Sequence, residues 1–283
     1  MERAIGRGCL TAGFLAGLVI ASPAFADRAE TVRGLVPHRA VYELSLDRRS
    51  DRSDVTEVGG RLVFEFSGSI CEGWSSRFRL VTRLTNSDGT PRVTDMRTTS
   101  FEDGEGKTFE FVNQNLVDGR VAEDTKGTAR HDGGAVKADI VLPAPRRYDV
   151  PGSALFPTEH MVEIVEAAKA GRSVAEIDLY DGTEGGARHT RTTVIIGREQ
   201  TGADDVSGEA ETVKTLTAGK RRWPIDISYF DPTKGGGDTT PDYQLGFLLY
   251  ENGVSRRLKL DYGDFAISGS LTAIDGIAAT PCP

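Results

Sequence analysis

The feature that most constrains this chain is an alternation of apolar and polar residues with period two. It recurs almost from end to end and is broken at short intervals by glycine-bearing turns. Strand side chains project alternately to two faces, so this pattern buries one face of a sheet and wets the other. Candidate strands are 41–46, 61–66, 74–85, 92–101, 107–113, 114–118, 120–126, 127–132 and 136–142. Later candidates are 175–180, 189–196, 206–217, 225–230, 245–250, 255–262 and 265–274. Asp88-Gly89, Asp103-Gly104, Asp118-Gly119 and Asp132-Gly133-Gly134 punctuate the early strands, and Asn252-Gly253 is the strongest hairpin signal. Successive strands joined by tight turns predict an up-and-down sheet, and more than ten strands cannot lie flat without curling or splitting. The expected fold is mostly β, a large antiparallel open barrel, with a two-sheet sandwich as the alternative.

One segment departs from period two. Phe156-Pro157 opens onto residues 158–170, closed by Gly171. Thr158 is the expected N-cap, Glu159 suits the positive end of the helix dipole, and Lys169 the negative end. Gly171 suits the left-handed position that follows a helix. Met161, Ile164 or Val165, and Ala168 fall on one face at helical spacing. A lone helix with an apolar stripe among so many strands must pack on a sheet face or plug the barrel. Glu159 and His160 have two readings: they complete the first helical turn, or they form a polar pair at a cavity entrance. In the second reading His160 changes charge near neutral pH. Helix-start grammar favours the first. Met161, Val162, Ile164 and Val165 read as core; inside a barrel, core packing and cavity occlusion become the same contacts.

The N-terminus carries Arg3 and Arg7, an apolar run from Cys9 to Ile20, a break at Ser22-Pro23, and Ala24-Phe25-Ala26 before Asp27. Residues 1–26 therefore read as a cleaved secretory signal peptide, too short in its apolar part for a permanent span of ~30 Å. Cys9 stands at the start of the apolar run, the wrong end for lipidation. Residues 27–283 read as a single domain, since no composition shift or long linker divides them. No later segment approaches transmembrane length, so no integral membrane protein is expected. Removal of Cys9 leaves Cys71 and Cys282 in an oxidising compartment, where an even pair is most simply a disulfide. Such a long loop is worth at most ~5 kcal/mol. Free or redox-active thiols are the alternative, without Cys-x-x-Cys spacing to support them.

Motifs that carry chemistry are missing. The sequence has no Gly-x-Ser-x-Gly, Ser-x-x-Lys, phosphate-binding loop, dinucleotide fingerprint or His-Glu-x-x-His. His38, His131, His160 and His189 stand far apart, and their spacing proposes no metal site. Asp204-Asp205 and the pair Asp139 and Asp178 suit turns and strand faces. The formal charge of −8, without any basic block, argues against nucleic-acid binding. The expectation is a protein without catalytic residues, metal or cofactor.

The strand His38-Arg39-Ala40-Val41-Tyr42, a cysteine just before Trp74, the Phe156-Pro157-Thr158-Glu159-His160 block and the C-terminal cysteine together resemble the EipB family. These are periplasmic cell-envelope integrity proteins of alphaproteobacteria, and the resemblance covers essentially the whole mature chain. It implies a spiral-like open barrel of about fourteen strands, a helix partly filling a central hydrophobic cavity, and a disulfide between Cys71 and Cys282. It also implies a periplasmic role in envelope maintenance and brings no catalytic residues. Two functions follow as expectations. The first is a non-enzymatic protein that binds another envelope component, with the helix as a plug. The second is a carrier of a lipid or lipidated peptide, with the 158–170 helix as a lid.

Overall fold

The computed structural model describes residues 23–203, 205–233, 240–279 and 282. The reading of residues 1–26 as a signal peptide falls largely outside them. Pro23–Gly34 forms a helix, α1.

The first run of strands is β1 (His38–Arg49), β2 (Val55–Ser69), β3 (Gly73–Asn86), β4 (Pro91–Glu102) and β5 (Thr108–Val117). It continues with β6 (Arg120–Asp132), β7 (Ala135–Leu142) and β8 (Arg146–Pro151). Helix α2 (Pro157–Lys169) then crosses to β9 (Val174–Leu179) and β10 (Thr190–Ile196). After the short helix α3 (Val213–Thr217) come β11 (Arg222–Phe230), β12 (Tyr243–Tyr250), β13 (Ser255–Asp261) and β14 (Phe265–Gly276). All fourteen strands form one antiparallel sheet in the order β8-β7-β6-β5-β4-β3-β2-β1-β14-β13-β12-β11-β10-β9. The first and last strands are neighbours at its centre, with Ala40 opposite Ile274. The edges are β8 and β9, so the sheet is open, and α2 carries the chain from one edge to the other.

The seam between the edges is bridged without pairing β8 to β9. Leu155 N–H donates to Asp178 O at 2.8 Å and Leu155 O accepts from Tyr180 N–H at 2.8 Å, a single parallel bridge. The segment after β9 then reaches across to the other arm. Asn113 Nδ2 donates to Asp181 O at 3.1 Å and Gly185 N–H donates to Glu123 Oε1 at 3.1 Å. The sheet curls because its inner row is apolar: Ala40, Tyr42, Leu62, Leu80, Ile225, Ile227, Leu260, Ile267 and Leu271 are all buried. Cys71, in the turn between β2 and β3, is disulfide-bonded to Cys282 across a separation of 211 positions.

The structure corrects several sequence expectations. Segments 107–113 and 114–118 are one strand, β5, and 120–126 and 127–132 are one strand, β6. Register shifts at Asn115/Leu116 and Lys126/Gly127 break the alternation there. Strand β8 escapes period-two reading because two adjacent arginines follow the Pro143-Ala144-Pro145 break. Segment 206–217 is not a strand but turns leading into α3. Its buried Val206 and Val213 lie seven positions apart, a spacing that one strand face cannot bury, and Glu209 reaches both β13 and β14. The Glu209 carboxylate accepts from Arg256 Nε at 2.7 Å and Leu271 N–H at 3.3 Å. Asn252-Gly253 belongs to a three-residue loop in which only Gly253 is left-handed (φ 85°). Asp118-Gly119, with φ of 50° and 76°, is a two-residue hairpin turn with both residues left-handed. Finally, α2 is not the only long helix, because α1 lies against it.

Candidate functional site: the enclosed helix and the interior it divides

No residue of α2 from Pro157 to Lys169 is exposed. A surface helix leaves a polar stripe in water, whereas this helix is largely covered, its charged side chains only part-exposed. Ile164, Val165, Ala167 and Ala168 pack against Ala175, Ile177, Val194, Trp223 and Ile225 of β9–β11. Val162 and Met161 turn to the opposite wall, where Leu35, Phe66 and Trp74 form a separate cluster. The remaining side is closed by α1. Arg28 reaches Glu159 at 3.2 Å and Glu163 at 3.5 Å, while Thr31 bonds to Glu166 and Lys169.

The N-terminus of α2 is held by a residue from another strand. Phe156 takes the N-cap position without a side-chain bond, and Pro157 follows at the first helical position. Thr158 is therefore not the cap, contrary to the sequence expectation. Its N–H and hydroxyl both donate to Glu102 Oε1 at 2.7 and 2.6 Å. Glu102 ends β4, is buried, and thus supplies the missing acceptor in trans. Its second oxygen has no hydrogen-bond partner among the described residues. Burial of this half-bonded carboxyl pushes its pKa up to about 7, against the opposing Thr158 bonds.

Glu159 sits over the same end, 3.5 Å from His131 Nε2 and paired with Arg28. Burial raises its pKa, and the neighbouring Arg28 guanidinium opposes that shift. The backbone of Gly106 lies so close that a Cβ there would come 2.3 Å from the Glu159 carboxyl. His160 points into the core and bonds Thr192 Oγ1 at 2.9 Å. That hydroxyl spends its one proton on Ile177 O at 2.6 Å, so His160 Nε2 is the donor. Burial pushes the His160 pKa down to about 4, which keeps the ring neutral at physiological pH. The other end of the helix closes as its sequence predicts. Gly171 is left-handed (φ 72°), its N–H donates to Ala168 O, and Arg172 N–H donates to Ala167 O, both at 3.0 Å.

Away from the helix the interior is apolar but less completely covered. Register places Phe64 opposite Phe78 and Leu80 opposite Met96 on the inward face. Leu80 is buried and both phenylalanines are half-buried, whereas Met96 is 40% exposed. Leu245 and Phe247 are half-buried on the inward face of β12. The rim beyond them is aromatic: Tyr229 stacks on Tyr243 at 4.4 Å, and Tyr262 on Phe265 at 5.1 Å.

Asp139 pairs with Arg130 and Arg147, and Asp178 with Ser153 and His189. The two carboxylates thus have separate partners. No group of three or more metal-ligating side chains occurs among the described residues. No helix among them is long and apolar enough to cross a membrane.

This arrangement, a fourteen-stranded open sheet around a covered helix, has known counterparts. The sequence model of the EipB-like family matches residues 29–278. The chain belongs to the EipB-like family. A relative from Brucella abortus (strain 2308), named cell envelope integrity protein EipB, is 40% identical over 254 residues, covering 88% of this chain and 87% of its own. A crystal structure from Brucella abortus, described as a β-barrel-like protein of a domain of unknown function, superposes with a TM-score of 0.78. It is 39% identical and covers 86% of this chain and 99% of that one. The EipB-like match therefore includes α2, both walls that hold it and nearly the whole sheet.

Sequence reading located α2 and its apolar residues but missed Glu102, Arg28 and His131. Glu102 stands 56 positions from Thr158. Its only local signal is its place at the end of a strand, just before the Asp103-Gly104 turn.

Proposed function

We propose that this chain is an exported, periplasmic protein that supports cell-envelope integrity without catalysing a reaction, by binding another envelope component. The observation that carries this reading is the 40% identity, across almost the full length of both chains, to a protein named for envelope integrity. Residues 1–26 act as the cleaved signal peptide, and the disulfide between Cys71 and Cys282 suits an oxidising destination. In this reading α2 is a fixed plug. The absence of any exposed residue along it, the pairing with α1 and the two well-made helix ends all support that.

The test is deletion of the gene in its own host, followed by challenge with detergent and β-lactam antibiotics. Sensitivity on deletion, with resistance restored by the exported form and not by a form lacking residues 1–26, is the expected result. Unchanged resistance after deletion would sink the proposal.

One observation favours a second reading, a carrier of a lipid or lipidated peptide with α2 as a lid. The inward-facing Phe64, Phe78, Met96, Leu245 and Phe247 leave apolar wall incompletely covered. An acyl chain gains roughly 25 cal/mol per Å² of apolar surface buried, and such a wall offers that surface. Native mass spectrometry of protein taken from its own periplasm separates the two readings. A stoichiometric acyl ligand supports the carrier, whereas ligand-free protein with α2 amides as protected as those of β1 and β14 supports the plug.

A further inference from the structure

An open sheet has two edges, and this one treats them differently. Edge strands invite pairing by other chains, and proteins blunt them with charge, proline or short length. Strand β8 is guarded in these ways: Arg146 and Arg147 are exposed, Pro143 and Pro145 precede it and Pro151 ends it. Strand β9, Val174-Ala175-Glu176-Ile177-Asp178-Leu179, has neither proline nor a basic residue.

Pairing with β10 fixes which backbone groups of β9 remain free. Ser173 O accepts from Ile196 N–H, and Ala175, Ile177 and Leu179 face β10 in the same alternation. Val174, Glu176 and Asp178 therefore turn their N–H and C=O groups to the open side. Leu155 takes only the lower part, through Asp178 O and Tyr180 N–H. The outward groups of Val174 and Glu176 have no backbone partner among the described residues. Beside them runs a recess of about 450 Å³ whose walls include Leu155, Glu163, Arg172, Glu176 and Asp178. On the outer face, Val174 lies opposite Ile195, and both are about half exposed, at 50% and 47%.

We propose that β9 is a docking strand, whose open edge pairs by backbone hydrogen bonds with an extended, basic segment of a partner protein. A row of unpaired N–H and C=O groups at strand spacing is satisfied by an extended peptide, and alternate side chains then supply specificity. Charge selects the partner. Glu176 is exposed and forms no ion pair among the described residues, whereas Asp178 on the same face is already bonded to Ser153 and lies opposite Arg191. Two copies paired antiparallel through β9 would set these carboxylates against one another, which is unfavourable. A segment alternating Lys or Arg with β-branched residues sets its cations on the outer face beside Glu176 and turns its β-branched residues to the opposite, inward face. The proposal rests on the envelope-binding reading only for its biological setting. It is tested on purified protein, so its failure leaves that reading standing.

The probe is a fluorescein-labelled Val-Lys-Val-Lys-Val peptide, titrated into the full mature chain and followed by anisotropy. Saturable binding is expected, weakened roughly tenfold or more when alternate peptide nitrogens are methylated or Lys is replaced by Glu, a change of ~1.4 kcal/mol. Glu176→Pro removes an N–H without an internal partner, so it should abolish binding while leaving the melting temperature unchanged. Glu176→Lys serves as a second variant should the proline disturb folding. Hydrogen exchange should slow at the Glu176 and Asp178 amides when the peptide is bound. Equal binding by the methylated peptide, or no saturation up to about 1 mM, overturns the proposal. A concentration-dependent dimer that the peptide does not dissociate overturns it in favour of a second copy.

Discussion

The two parts of the barrel interior are built from the same strands but finished differently. Around α2 the inward side chains meet a helix that has no exposed residue, and its polar groups are matched by Glu102, Thr192, Arg28 and Thr31. Farther along the same strands, Phe64, Phe78, Met96, Leu245 and Phe247 face inward and remain part-exposed, although Phe64, Leu245 and Phe247 border the clusters that hold α2. The walls are equally apolar, so wall composition does not decide how dry each part is. The helix does. The stability of the molecule should therefore concentrate at the helix end, and substitutions of equal size should cost different amounts in the two parts.

The largest expected effect comes from the staple at the helix end, since Cys71 lies three residues from Trp74, which packs with Val162. Cys71→Ser and Cys282→Ser should each lower unfolding free energy by about 2–5 kcal/mol in urea titrations. The double variant should add little, because either change removes the same bond. Additive losses would mean that the cysteines act separately.

Next comes a direct contrast between the two parts. Ile164→Ala, in the covered part, should cost about 2–5 kcal/mol. Phe78→Ala removes a larger side chain, yet from a half-buried position, and should cost about 1–2 kcal/mol. A reversed order in the same titration would erase the distinction between the two parts.

The third effect depends on pH and belongs to the helix alone. Glu102 has its folded pKa raised from 4.5 to about 7, so the folded state binds the extra proton. Its contribution is complete at low pH and is lost as pH rises from about 4.5 to about 7. His160 has its folded pKa lowered from 6.5 to about 4, so the unfolded state binds the extra proton. Its contribution is complete at neutral pH and is lost as pH falls from about 6.5 to about 4. The two run in opposite directions over an overlapping window, and the native protein should show only a shallow dependence there. Glu102→Gln should unmask the loss on the acid side, and His160→Gln the loss on the alkaline side. Each should be about 1–3 kcal/mol in thermal melts from pH 4 to 8. Flat profiles for both variants would show that neither group is buried as described.

The smallest effect is at the outer cover. Arg28→Ala should cost about 0.5–1 kcal/mol, because the pairs with Glu159 and Glu163 are partly solvated. A double-mutant cycle with Glu159→Gln measures it.

The sheet was largely legible because burial on one face imposes period two, and each hairpin leaves a turn signal. The reading failed where that link fails. Register shifts split β5 and β6, Arg146-Arg147 hid β8, and segment 206–217 forms turns and α3 where a strand was expected. For the helix, the apolar residues and the C-terminal Gly171 were readable because they interact within a few positions. The N-terminal acceptor was not, because a helix end needs only some oxygen in the right place, and here β4 brings it from 56 positions away. Thr158 was a sound candidate for a cap, but its hydroxyl points to Glu102.

The pairing of the first strand with the last sets the order in which this chain can become native. Strand β1 has β2 available at once, but its other neighbour, β14, comes more than two hundred residues later. Until the C-terminus has been delivered, the first eight strands form a meander with an unsatisfied side at β1. Contacts of such large separation in sequence slow folding. A chain of this design stays incomplete until its final segment arrives to join the two arms.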